Sequence, residues 1–142
     1  MYVLVTGALG ILGNSILNDL SKKGKRILIY DKLKNISRFR KISKDNMKFI
    51  AGDLTDYKKI KKIFIKYKIE SVFHLGAQTQ VLKALDNPEE TFAINLFSTV
   101  KFLELIRTIN RNILFIYSSS DKAYGELLAG NSYLENYPLN SI

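Results

Sequence analysis

The run Thr6-Gly7-Ala8-Leu9-Gly10-Ile11-Leu12-Gly13 stands directly after an apolar stretch and opens an amphipathic one. Three glycines at that spacing, between a strand and a helix, suit a loop that closes on phosphate. The first permits the tight turn, the second lets backbone approach the anion, and the third lets the helix pack close to its strand. Free backbone N–H groups at the positive helix end, where Ile11, Leu12 and Gly13 stand, then meet the pyrophosphate of a dinucleotide. Asp31 ends the next apolar run, 18 residues beyond Gly13. A carboxylate there accepts hydrogen bonds from the adenosine ribose and repels a 2′-phosphate, which points to NAD rather than NADP. Lys32, Lys34 and Arg38 are the neighbouring cations that could serve a phosphate instead. In Gly52-Asp53-Leu54-Thr55-Asp56, Asp53 either reaches the adenine or stays in its turn, and Thr55 or Asp56 caps the following helix. His74, the only histidine, ends a buried run and is expected to pack rather than catalyse. With no second histidine and no cysteine, no metal site is expected.

Holding these residues together takes an alternation of strands and helices. Continuously apolar runs at Tyr2–Thr6, Arg26–Tyr30, Met47–Ile50, Ser71–His74 and Asn112–Tyr117 read as strands covered on both faces. Amphipathic stretches at Ile11–Lys23, Thr55–Lys68 and Pro88–Thr108 read as helices, with a shorter one around Ser37–Lys41. The long helix carries its own punctuation. Asn87 caps it, Pro88 suits its first turn, Glu89 and Glu90 sit at its positive end, and Arg107 lies near the other. The implied architecture is α/β, a Rossmann-type doubly wound parallel sheet of strand order 3-2-1-4-5, with residues 1–142 forming one NAD-binding domain.

Several further motifs fall in a familiar order. Gly7, Gly10 and Gly13 at three-residue spacing are followed by Gly52-Asp53-Leu54, Phe73-His74-Leu75-Gly76-Ala77-Gln78, Asn95, Ser118-Ser119-Ser120 and Tyr124-Gly125. Over essentially its whole length the chain resembles the extended short-chain dehydrogenase/reductases that act on nucleotide sugars. The resemblance implies that Asp53 and Leu54 flank the adenine and that Leu75, Ala77 and Gln78 line the cofactor cleft. It also implies that Ser120 hydrogen-bonds the sugar carbinol being oxidised. Asp121 and Lys122 resemble the Asp-Lys pair of CDP-glucose and certain UDP-N-acetylglucosamine 4,6-dehydratases. In that chemistry oxidation at C4 acidifies the C5 proton and water departs from C6. Asp121 could then protonate the leaving hydroxyl, and Lys122 could remove or manage the C5 proton if its pKa were lowered by burial.

The family's base is a Tyr-x-x-x-Lys pair after the fifth strand. Here that spacing occurs at Tyr30/Lys34 and Tyr57/Lys61, both too early in the chain to face Ser120, and no tyrosine after Ser120 has a lysine four residues on. The expectation is therefore the N-terminal part of a longer 4,6-dehydratase, able to bind NAD weakly and to turn over nothing. A nucleotide-sugar 4-epimerase and a non-catalytic cofactor-binding or scaffolding domain stay open as alternatives. The net charge of +9 is expected on solvated helix faces, notably Lys58, Lys59, Lys61, Lys62, Lys66 and Lys68, rather than against nucleic acid. No stretch is long and apolar enough for a membrane span, and strand-like residues start at once after Met1, so the expected compartment is the cytoplasm. Apolar surface on the fifth strand and long helix predicts a homodimer or other self-association.

Overall fold

The computed structural model describes residues 1–32, 46–126, 130 and 132–140. Five parallel strands, β1 (Tyr2–Thr6), β2 (Ile27–Asp31), β3 (Met47–Ala51), β4 (Ile69–His74) and β5 (Leu114–Tyr117), form one sheet of order β3-β2-β1-β4-β5. The expected topology is thus the observed one. The sheet is flanked by α1 (Ile11–Lys22), α2 (Tyr57–Lys66) and α5 (Ser98–Ile109), with the short α3 (Val81–Asp86) and α4 (Pro88–Phe92) above its β4 end.

Period-two alternation divides the core. Tyr2, Leu4, Leu28, Tyr30 and Val72 face Ile60, Ile63 and Phe64 of α2 and Phe102, Leu105 and Ile106 of α5. Val3, Val5, Ile27 and Ile29 face Leu17 of α1. Central β1 is buried throughout. The expectation that every strand is covered on both faces needs correction for β3 and β5. Both are edge strands, half-exposed along much of their length, with Leu114 61% exposed.

Local chemistry sets the helix ends. Asp56 caps α2 through the Lys59 N–H (3.0 Å), while Thr55 turns back to Asp53, so α2 starts later than the apolar pattern predicts. Tyr67 and Lys68 likewise fall outside it, and β4 begins earlier, at Ile69. Lys58, Lys61, Lys62, Lys66 and Lys68 are exposed and Lys59 half-buried, opposite the buried Ile60, Ile63 and Phe64. Asn87 caps α4 by accepting from the Glu90 N–H (3.1 Å), with Pro88 in the first turn.

The predicted single helix from Pro88 is interrupted. Between α4 and α5 the backbone keeps helical dihedrals but residues Ala93–Phe97 form a π-helical turn. The expected helix around Ser37–Lys41 lies outside the described residues.

Candidate functional site

At the carboxyl ends of β1 to β4 the loops enclose a cleft of about 470 Å³. Its lining includes all eleven residues singled out for the cofactor: Gly7, Gly10, Ile11, Leu12, Gly13, Asp31, Asp53, Leu54, Leu75, Ala77 and Gln78. A cleft at the carboxyl edge of a parallel sheet, where the connections from β1 diverge, is where open α/β folds bind ligands.

The glycine loop is shaped by contacts that a side chain would break. Gly7 has φ +63°, and a Cβ there would stand 2.5 Å from the Gly76 nitrogen, so two loops cross at backbone distance. A Cβ on Gly13 would strike the Gly7 carbonyl oxygen and approach the Ala8 Cα to 2.6 Å, which places α1 directly on the loop. At Gly10 it would meet only the Gly7 oxygen, at 3.2 Å, and the missing side chain leaves the cleft open. No side chain caps the N-terminus of α1 and no acid stands in its first turn. Its first N–H groups therefore face the cleft as a positively polarised end suited to a pyrophosphate. Asp31 stands beside them, one carboxylate oxygen accepting from the Leu9 N–H (3.0 Å). These features fit a dinucleotide.

Asp53 stays with its own turn. One carboxylate oxygen accepts from the Thr55 N–H (2.9 Å) and hydroxyl (2.8 Å), and the other pairs with Lys32 Nζ at 3.0 Å. Burial alone pushes its carboxyl up, but the Thr55 donors and the Lys32 ammonium outweigh it and hold it below the usual aspartate value. The Tyr30 hydroxyl donates to the Asp53 carbonyl (2.7 Å), and its ring lies where a side chain on Gly52 would have to go. The Tyr30 phenol is held far above its usual pKa by burial and by the Asp56 and Asp53 charges.

Beneath the cleft, the Thr6 hydroxyl joins two loops. It accepts from the Leu75 and Gly76 N–H groups, both at 3.2 Å, which leaves its own proton for His74 Nδ1 at 2.9 Å. The imidazole proton then sits on Nε2, facing the Ser98 oxygen at 3.4 Å, and the Ser98 hydroxyl donates to the Ile94 carbonyl in the π-turn. Desolvation pulls the His74 pKa down to about 4, in keeping with a neutral packing role. From the same π-turn Asn95 grips the Gln78 backbone twice, its Oδ1 accepting from the N–H (2.8 Å) and its Nδ2 donating to the carbonyl (2.9 Å).

Ser120, Asp121 and Lys122 lie outside this lining and are exposed, which corrects the expected burial of Lys122: its side chain projects from the turn after β5 and is 81% exposed. They open a 3₁₀ turn, Asp121–Tyr124, after β5, and the Ser118 N–H donates to the His74 carbonyl (3.2 Å), which ties the start of the segment to the end of β4. Ser120 donates to Asp121 (3.2 Å), and Lys122 Nζ stands 3.5 Å from the same carboxylate. The Lys122 charge, reinforced by Ser120, holds the Asp121 carboxyl below its ordinary value. Behind them the Tyr133 ring stacks on Tyr124, and its hydroxyl donates to the Gly125 carbonyl at 2.8 Å.

Sequence reasoning did not find Tyr30, Gly76, Thr79, Lys83, Glu90 or Ile94, which also line the cleft. Lys83, Glu90 and Ile94 come from α3, α4 and the π-turn, and nothing in their spacing marks them. Tyr30 directly precedes Asp31, and Gly76 lies inside the Phe73–Gln78 motif, between Leu75 and Ala77; that proximity is the signal the sequence offers for both.

A family model described as GDP-mannose 4,6 dehydratase matches residues 4–141. CDP-paratose 2-epimerase of Salmonella typhi is 32% identical over 131 residues, 89% of this chain and 39% of that protein. UDP-glucose 4-epimerase of Yersinia enterocolitica is 31% identical over 131 residues, with 89% and 39% covered. Among solved structures, the Thermus thermophilus UDP-glucose 4-epimerase in complex with NAD superposes with a TM-score of 0.79 at 28% identity, over 99% of this chain and 45% of that one. The chain thus spans less than half the length of these relatives. Fold, motif order and matched length agree, and the chain belongs to the GDP-mannose 4,6-dehydratase family, within the nucleotide-sugar epimerases and dehydratases of the extended short-chain dehydrogenase/reductases.

Proposed function

We propose that this chain is the NAD-binding part of a nucleotide-sugar 4,6-dehydratase. The observation that carries the cofactor assignment is the cleft itself, with an uncapped helix end, a glycine loop without side chains in the way, and Asp31 at its side. Gly7, Gly10, Ile11, Leu12 and Gly13 would hold the pyrophosphate, Asp31 the adenosine ribose, Asp53 and Leu54 the adenine side, and Leu75, Ala77 and Gln78 the nicotinamide side. When bound, the nicotinamide would accept the hydride from C4 and, after water is lost, return it to C6 as C5 regains a proton, which gives the 4-keto-6-deoxy sugar.

The consecutive Ser120, Asp121 and Lys122 support elimination as the chemistry. Ser120 hydrogen-bonds the C4 oxygen. Once C4 is a ketone, Lys122, as the free amine, takes the acidified C5 proton, and Asp121, as the acid, gives a proton to the C6 hydroxyl as that C–O bond breaks. One water leaves and a C5–C6 double bond forms. In the free chain both groups are exposed, 3.5 Å apart, so substrate must desolvate them to bring the acid and the free amine within reach. The relative named as UDP-glucose 4-epimerase favours a second reading, in which Ser120 serves oxidation at C4 and no water is lost.

Asp121→Asn in a full-length protein carrying this sequence separates the two. A dehydratase should lose about 10²–10⁴-fold in kcat for release of the 4-keto-6-deoxy sugar, the worth of a positioned acid. Retained 4-epimerisation with no keto product in either protein would establish the epimerase instead.

A further inference from the structure

The cleft carries a charge arrangement that bears on which form of the coenzyme it accepts. Lys32 follows Asp31 directly, and both line the adenosine side proposed above. An exposed lysine there is the group a 2′-phosphate would need, because the Asp31 carboxylate repels it. Lys32 is nevertheless engaged: its Nζ lies 3.0 Å from Asp53 Oδ2 although its side chain is 70% exposed. Most exposed ion pairs hold weakly because two mobile side chains must be ordered together. Asp53 is ordered in advance. Its Oδ1 is taken up by the Thr55 N–H and hydroxyl, and its backbone is held by the buried Tyr30 hydroxyl, so Oδ2 is presented to Lys32 at little entropic cost. The second lysine of the described lining, Lys83, is in turn 3.6 Å from Glu90.

We propose that the Lys32–Asp53 pair is a coenzyme-selectivity latch: Lys34 and Arg38 lie outside the described residues, and by occupying the Lys32 ammonium Asp53 withholds from a 2′-phosphate the cation that the described residues place next to Asp31, which favours NAD over NADP. The inference rests on the cleft being the NAD site. Selectivity then comes from two acids with different tasks, Asp31 repelling the phosphate and Asp53 withholding its partner. The shifts of the pair agree in direction, the lysine held above and the aspartate below its ordinary value.

The test is a fluorescence titration of NADH and NADPH against the full chain, its Asp53→Asn variant, and the Asp53→Asn/Lys32→Gln double variant. Asparagine keeps an oxygen for Thr55 and so keeps the turn; Asp53→Ser, which also retains a turn-forming oxygen, is the second variant should asparagine fail to fold. The wild-type chain should prefer NADH. Asp53→Asn should move the NADPH-to-NADH affinity ratio about fivefold toward NADPH, the scale of one exposed charged contact, and Lys32→Gln in that background should return it. An unchanged ratio in Asp53→Asn, a gain that survives loss of Lys32, or a wild-type chain without preference overturns the latch while leaving the cofactor site intact. A wild-type chain that binds neither nucleotide overturns the NAD reading and the latch with it.

Discussion

Thr6, His74 and Ser98 share a chain of donors and acceptors in which the imidazole has to stay neutral, since Nδ1 accepts from Thr6. In the unfolded chain the ring takes a proton as pH falls through 6.5, whereas in the folded chain burial postpones this to about 4. Between those values the unfolded state binds more protons, so this group's contribution is complete above pH 6.5 and is lost on the way down to 4. The shift corresponds to roughly 3 kcal/mol. Urea denaturation at pH 7.5 and 4.5 should show that loss in the wild type and its absence in His74→Asn; an equal acid loss in both would remove His74 from the account. Gly13 is a second point at which one atom matters. Gly13→Ala puts a methyl group into the backbone of Gly7 and Ala8, where no flexible side chain can yield. The expected cost is about 1–3 kcal/mol of overpacking, read in the same denaturation assay, with NADH binding weakened more than stability alone explains because the loop itself must move.

At the scale of elements, the π-turn is what allows one helix to serve both core and cleft. Phe102 and Leu105 of α5 are buried against the sheet, while Ile94 lines the cleft and Asn95 holds Gln78 from the interrupted turn. Asn95→Ala leaves the Gln78 N–H and carbonyl without these partners and should cost about 1–3 kcal/mol. A several-fold rise in the NADH dissociation constant should accompany it, because the β4 loop lines the cleft. Calorimetric titration and urea unfolding check the two parts separately; full affinity in a destabilised variant would assign Asn95 to the fold alone. The long helix was legible through its cap, Pro88 and its apolar stripe, but the π-turn was not, since dihedrals stay helical across it and only the hydrogen-bond register changes. Helix α3 was invisible for a related reason. Val81, Leu82 and Leu85 are all more than 70% exposed, so no buried face stamps a period on the sequence. Strands were legible because β1 and β2 are apolar on both sides, and the glycine loop because its demands are local. Lys83 and Glu90 reach the cleft only through the placement of α3 and α4, and no local pattern records that.

For the whole molecule, charge and apolar surface act in opposite directions. Among the described residues Phe92, Leu96, Val100 and Leu103 follow one another at helical spacing and are about half-exposed, on the side of the long helix away from buried Phe102, Leu105 and Ile106. On β5, Leu114 and Tyr117 are also exposed. Apolar area of this kind gains about 25 cal/mol per Å² when covered, a contribution that dilute salt leaves nearly unchanged. The net charge of +9 opposes the approach of a second copy, and that repulsion is screened once the Debye length falls to about 3–10 Å. Self-association should therefore grow with protein concentration and also with ionic strength, the reverse of an assembly held by ion pairs. Sedimentation velocity of the 142-residue chain at low and high sodium chloride reads both dependences. Val100→Lys, placed in the exposed stripe and away from the buried face of α5, should suppress association while leaving the unfolding free energy in urea within about 0.5 kcal/mol of wild type. Sedimentation as a monomer at every concentration in high salt would show that the stripe is insufficient to join two copies. Association that weakens as salt rises would instead place the contact among the lysines.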